Sequence, residues 1–237
     1  MSTQPSAVSQ TLTLASTEVA RIGVGTNRLT STPENHVFLR QAVEARIGVI
    51  DTAHVYSGGD SERAIGEALS PAPDGLMVAT KGGYSGSGSP DALRAQIEQS
   101  LESLRTDTIN LYYLHRVDPE TPLEKSLGAI AEYREVGKIK EIGVSAVDVE
   151  QIEAARKLVP IAAVQNHYNV AERTSEDVVD YCEENGIVFV PYYPLGGDIP
   201  PTLGEIAARH EASPEQIALA WLLRRSPVML PIPGTLS

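Results

Sequence analysis

Four residues of different chemical type end, or closely follow, short apolar runs. Asp51 closes GVI, Tyr56 comes five residues later, Lys81 closes LMVAT and His115 closes INLYYL. Asp and Lys are rarely buried unless paired, so their position at the ends of such runs points to a shared site. A free phenol has a pKa near ~10 and is a poor proton donor at neutral pH. A nearby ammonium favours the phenolate, so Lys81 is expected to lower the Tyr56 pKa. Asp51 supplies the carboxylate that a desolvated lysine needs. An imidazole beside the phenol donates a hydrogen bond to a carbonyl oxygen and orients it. The set forms a proton donor and a small oxyanion site, which suits a carbonyl receiving a hydride. No side chain donates a hydride, so the reading requires a cofactor.

The elements that must bring these groups together are alternating strands and helices. The strand-like runs are Ala20–Gly25, Ile47–Ala53, Leu76–Lys81, Ile109–His115, Ile142–Ser145, Ile161–Asn166, Ile187–Tyr192 and Val228–Pro231, with a short hairpin expected before them at Thr11–Thr17. Helical patterns separate them, as at Pro90–Leu104, where Leu93, Ile97, Leu101 and Leu104 fall on one face. The others are Pro33–Arg46, Ser61–Leu69 (capped by Ser61-Glu62), Pro122–Val136, Val149–Leu158, Ser175–Asn185, Thr202–Arg209 and Pro214–Arg224. Near-continuous apolar strands indicate a parallel sheet covered on both faces. Eight such units in one domain predict an α/β fold closed as a (β/α)8 TIM barrel, whose chemistry lies at the C-terminal ends of the strands. Neither a GxGxxG after the first strand nor a Walker A sequence is present.

The composition fits a single enzyme-sized domain. The chain has 237 residues, 42% hydrophobic and 21% charged, with a net charge of −12. An acidic surface repels phosphate backbones, which argues against nucleic acid. The single cysteine, Cys182, is read as a packed mid-helix residue in a reducing compartment. The N-terminus has no signal-peptide pattern and no run is apolar enough to span a membrane, so a cytoplasmic location is expected. Residues 1–10 are expected to be a disordered tail and 11–237 one domain. The oligomeric state is expected to be a monomer or a weak homo-oligomer.

Taken singly, each residue has a plain structural role. Asp51-Thr52 could cap a turn, His115 sit in the core, Lys81 end a strand in solvent, and Tyr56 and Tyr192 be barrel-mouth aromatics. Their joint occurrence at successive strand ends favours the catalytic reading. A metal site built from Asp51, His54, His115 and Asp118 lacks the HxH and the tight His/Cys set that barrel and zinc sites use; no metal is expected.

Eight stretches together resemble the aldo-keto reductase superfamily: GVGTNRL (23–29), VIDTAHVYSGGDSERAIGEAL (49–69), VATKGG (78–83), LYYLHRVD (111–118), GKIKEIGVS (137–145), AAVQNHYN (162–169), VPYYPLGG (190–197) and LPIPGT (230–235). The PYYPLGG and ALAWLLRRSP segments look most like bacterial general-aldehyde and pyridoxal-reductase members. The resemblance implies an NADPH-dependent reductase of aldehydes or ketones, with NADH left open. It implies Tyr56 as the general acid, Lys81 and Asp51 behind it, and His115 orienting the substrate. Ser145 and Gln165 would bond the nicotinamide carboxamide and Tyr192 would stack on the ring. Leu195, Gly196 and Gly197 would follow the pyrophosphate, with Gly25, Thr26, Asn27, Gly234 and Thr235 beside the cofactor and the substrate pocket.

The chain departs from the family pattern in three places. Ala146 stands where Asn usually follows the strand-five Ser, and Arg46 stands where Gly is common, in a position that favours φ > 0. No eighth helix follows Gly234, so the expectation is a domain truncated at its C-terminus, without the segment that holds the 2′-phosphate. These departures keep a second reading open, a non-catalytic NADPH-binding sensor or regulatory barrel.

Overall fold

The computed structural model describes residues 11–197 and 200–234; the expected N-terminal tail and Thr235 lie outside them. The chain opens with an antiparallel hairpin, β1 (Thr11–Leu14) and β2 (Thr17–Ala20). The hairpin runs on past the expected Thr17 to Ala20, and the first barrel strand starts at Gly23 rather than at Ala20. The barrel strands are β3 (Gly23–Gly25), β4 (Val49–Asp51), β5 (Met77–Gly82), β6 (Ile109–Leu114), β7 (Ile139–Ser145), β8 (Ala163–His167) and β9 (Val188–Tyr192). They pair in parallel in sequence order. Helices α1 (Pro33–Glu44), α2 (Asp60–Leu69), α3 (Pro90–Leu104), α4 (Leu123–Glu135), α5 (Val149–Arg156) and α6 (Glu176–Asn185) alternate with them, and α7 (Pro201–Arg209) and α8 (Pro214–Arg225) follow β9.

The eighth strand expected at Val228–Pro231 is not a strand. The segment closes the barrel through two isolated bridges, Phe189 to Met229 and Gly25 to Gly234. Leu230 N donates to Phe189 O, Gly23 N to Pro231 O and Gly25 N to Pro233 O, each at 2.9–3.0 Å. Pro227, Pro231 and Pro233 lack the N–H groups that a continuous ladder needs. The seam is still joined on both sides, and the molecule is a (β/α)8 barrel. Arg21 fastens it from below, donating to the carbonyls of Leu223, Ser226 and Met229.

Alternation along each strand sorts the residues. Val49, Met77, Ala79, Leu111, Tyr113, Ala163, Val188 and Val190 fill the interior, joined at the foot by Leu14 and Val19 of the hairpin. Ile50, Val78, Tyr112, Ile142, Val144, Val164 and Phe189 face the helices. Cys182 is buried in α6, as its helical setting implied. Arg46 and Ala146 both adopt positive φ, 62° and 56°, a region that costs a side chain with a Cβ about 1–2 kcal/mol.

Candidate functional site

Parallel register brings the strand ends to one rim. Gly25 lies beside Asp51, Asp51 beside Ala79, Lys81 beside Tyr113, Ser145 beside Gln165, and His167 beside Tyr192. Period-two alternation then turns Asp51, Lys81 and Tyr113 inward together. The rim holds a cleft of about 660 Å³, within the usual size of ligand pockets.

Lys81 is completely buried, and its Nζ donates to Asp51 Oδ1 at 2.6 Å, to Thr52 O at 2.8 Å and to the Tyr56 hydroxyl at 3.3 Å. All three of its protons therefore have partners. Burial alone works to lower the Lys81 pKa, but Asp51 and Tyr56 outweigh it and the net direction is upward. The ammonium stays charged. The second Asp51 oxygen accepts from Gln165 Nε2 at 2.8 Å. That bond was not foreseen, since the resemblance assigned Gln165 to a cofactor amide. The Gln165 side chain is also within hydrogen-bond reach of the Tyr113 hydroxyl.

Tyr56 corrects the electrostatic expectation. Its pKa is raised, because burial outweighs the lowering effect of Lys81, and Asp51 adds to the rise. The phenol therefore carries its proton at neutral pH. His115 lies edge-on to it, with ring centroids 5.9 Å apart. Burial first, then the charges of Lys81 and Arg116, depress the His115 pKa to about 3. The imidazole is neutral, its Nδ1 has no partner among the described residues, and the ring lines the cleft.

Of the expected site residues, Gly25, Thr26, Asn27, Asp51, Tyr56, His115, Ser145, Gln165, Tyr192, Leu195, Gly196 and Gly234 all line this cleft. Lys81 lies behind the wall, bonded to Asp51 and Tyr56, which line it. Gly197 is exposed and does not line the cleft. Arg28, Val55, Tyr84, Arg116 and Tyr193 line it as well. They went unread because loop residues carry no periodicity to mark them.

A second correction concerns Ser61-Glu62, expected as a helix cap. The N-cap of α2 is Gly59 at φ 95°, with no side-chain cap. Ser61 and Glu62 are instead buried and turned toward the barrel. Ser61 Oγ donates to Thr26 and pairs with Thr52 Oγ1 at 2.7 Å, and Glu62 Oε1 accepts from Thr80 Oγ1 at 2.5 Å. The helix that begins at the 3-10 turn of Tyr56–Gly59 is thereby tied to β3, β4 and β5, so these bonds help to hold Tyr56 against Lys81.

His54 Nδ1 lies 3.0 Å from Lys81 O, and Asp118 holds the loop at Gly88 and Thr121. Among the described residues no group of three or more His, Cys, Asp or Glu is placed to hold a metal ion, and no helix is long and apolar enough to cross a membrane.

Comparison with known proteins gives a consistent result. The model of the Aldo/keto reductase family matches residues 21–237. Pyridoxine 4-dehydrogenase of Escherichia coli is 36% identical over 255 residues, covering 97% of this chain and 89% of that protein. An uncharacterised oxidoreductase of Schizosaccharomyces pombe is 40% identical over 209 residues, covering 83% of this chain and 68% of that protein. A thermostable aldo-keto reductase solved with the inhibitor epalrestat superposes with a TM-score of 0.87 at 31% identity, covering 96% of this chain and 90% of that one. An aldo/keto reductase of Klebsiella pneumoniae solved with NADP and acetate gives 0.83 at 26% identity, covering 92% and 82%.

Proposed function

The chain belongs to the aldo/keto reductase family, and on that premise we propose that it reduces aldehydes or ketones to alcohols with NADPH, using Tyr56 as the proton donor. The observation that carries the proposal is the buried Lys81 ammonium bonded at once to Asp51 and to the Tyr56 hydroxyl, behind the wall of a cleft that Asp51, Tyr56 and His115 line. The Klebsiella pneumoniae relatives solved with NADP or NADPH support the cofactor.

The cleft residues suit that group. Ser145 and Gln165 would bond its carboxamide, and Tyr192 would stack on its ring. Leu195 and Gly196 would follow the pyrophosphate, with Gly25, Thr26 and Gly234 alongside. NADPH supplies the hydride. The rest is the work of the chain. His115, neutral, donates a hydrogen bond to the carbonyl oxygen and orients it beside Tyr56. Tyr56 gives that oxygen its proton as negative charge develops there. The phenolate left behind faces Lys81, whose charge stabilises it, and Asp51 keeps Lys81 in place.

The test is direct. Purified protein mixed with NADPH and a panel of reactive aldehydes should oxidise the cofactor in step with alcohol formation. Cofactor binding without turnover of any aldehyde would leave the regulatory barrel as the correct reading.

A further inference from the structure

The cleft carries a charge opposite to that of the molecule. The chain has 31 acidic and 19 basic residues, yet the cleft is lined by one carboxylate, Asp51, and two guanidinium groups, Arg28 and Arg116. Asp51 is neutralised by Lys81. Both arginines are exposed, and among the described residues neither has a carboxylate within ion-pair distance. By contrast Arg63, Arg94, Arg105, Arg173 and Arg225 each pair with an acidic side chain. Arg116 directly follows His115, and its charge is among those felt by that imidazole. Tyr84 packs against the same ring, with centroids 4.8 Å apart. Tyr84 and Arg116 therefore both line the cleft next to His115, and among the described residues the Arg116 guanidinium has no acidic partner there.

We infer that Arg116 selects carbonyl substrates bearing an anionic group, a carboxylate or a phosphate ester, on the substituent that points out of the cleft. The inference rests on the reductase reading above and narrows its substrate class. A guanidinium offers a planar fork of donors that matches either anion. The surrounding acidic surface repels anions in general, so the selection acts at short range inside the cleft.

The experiment compares 4-carboxybenzaldehyde and 4-formylphenyl phosphate with benzaldehyde, in the wild type and in Arg116→Leu and Arg116→Lys. Binding to the NADP+-saturated protein is measured by calorimetry, and kcat/KM is measured with NADPH. The wild type should prefer either or both anionic aldehydes, and raised ionic strength should weaken that preference. Arg116→Leu should lower the anionic-to-neutral ratio by about tenfold or more, and Arg116→Lys should lower it less. A ratio unchanged in Arg116→Leu overturns the inference, as does a loss confined to the affinity for NADP+, which would assign Arg116 to the cofactor. If no aldehyde is reduced, the functional reading fails, and the calorimetric preference still decides the role of Arg116.

Discussion

Tyr56 holds its proton more tightly than a free phenol does, and this direction was the least legible feature of the site. The residue types showed that Lys81 would pull the pKa down. How far the ring is desolvated depends on walls contributed from elsewhere in the chain, and here burial wins. The result suits the proposed donor, which must be protonated before it acts; in the proposed mechanism Lys81 stabilises the phenolate that follows. His115 is decided by the same balance and yields a pH prediction. Its folded pKa of about 3 lies below the ordinary value of 6.5. Between these values the unfolded chain binds a proton that the folded chain does not, so stability falls as pH drops from about 6.5 toward 3. His115→Gln should flatten that fall when urea unfolding is followed from pH 7 to pH 4. An equal slope in both proteins would show that the imidazole is not buried in its neutral form.

At the scale of elements, the strands were legible because they are apolar runs stopped by a polar residue. Asp51, Ser145 and Tyr192 end β4, β7 and β9, and Lys81 falls one residue before the end of β5. The closing segment was not, because its prolines replace a ladder by two bridges. Nor was the inward turn of Ser61 and Glu62, since a Ser-Glu pair ahead of an apolar pattern reads equally well as a cap. What fixes α2 is its contact with α3. A Cβ on Gly66 would lie 2.3 Å from Ser103 O and 2.9 Å from the Leu104 carbonyl carbon. In an isolated helix Gly→Ala gains about 1 kcal/mol, whereas here the helices must separate. Gly66→Ala should lower the thermal midpoint, and because α2 follows Tyr56 it should also reduce turnover. A raised midpoint would mean that the α2–α3 approach is looser than described.

At the scale of the whole molecule, eight short segments far apart in sequence deliver one residue or a few each to a single rim. The barrel, the meeting of Asp51, Tyr56, Lys81 and His115 at one rim, and most of the cleft lining were therefore readable from the sequence. The cleft-lining loop residues Arg28, Tyr84 and Arg116 were not. They occupy turns whose path only the closed barrel defines. The acidic surface and the cationic cleft likewise appear as a contrast only when the chain is folded. The central claim is that this convergence makes Tyr56 the proton donor in carbonyl reduction. It is tested most directly by measuring aldehyde-dependent NADPH oxidation by Tyr56→Phe beside the wild type, with NADPH affinity determined by fluorescence in both. The account predicts that reduction is lost, by about a hundredfold or more, while affinity for the cofactor stays close to that of the wild type. Reduction persisting at a comparable rate in Tyr56→Phe would contradict it.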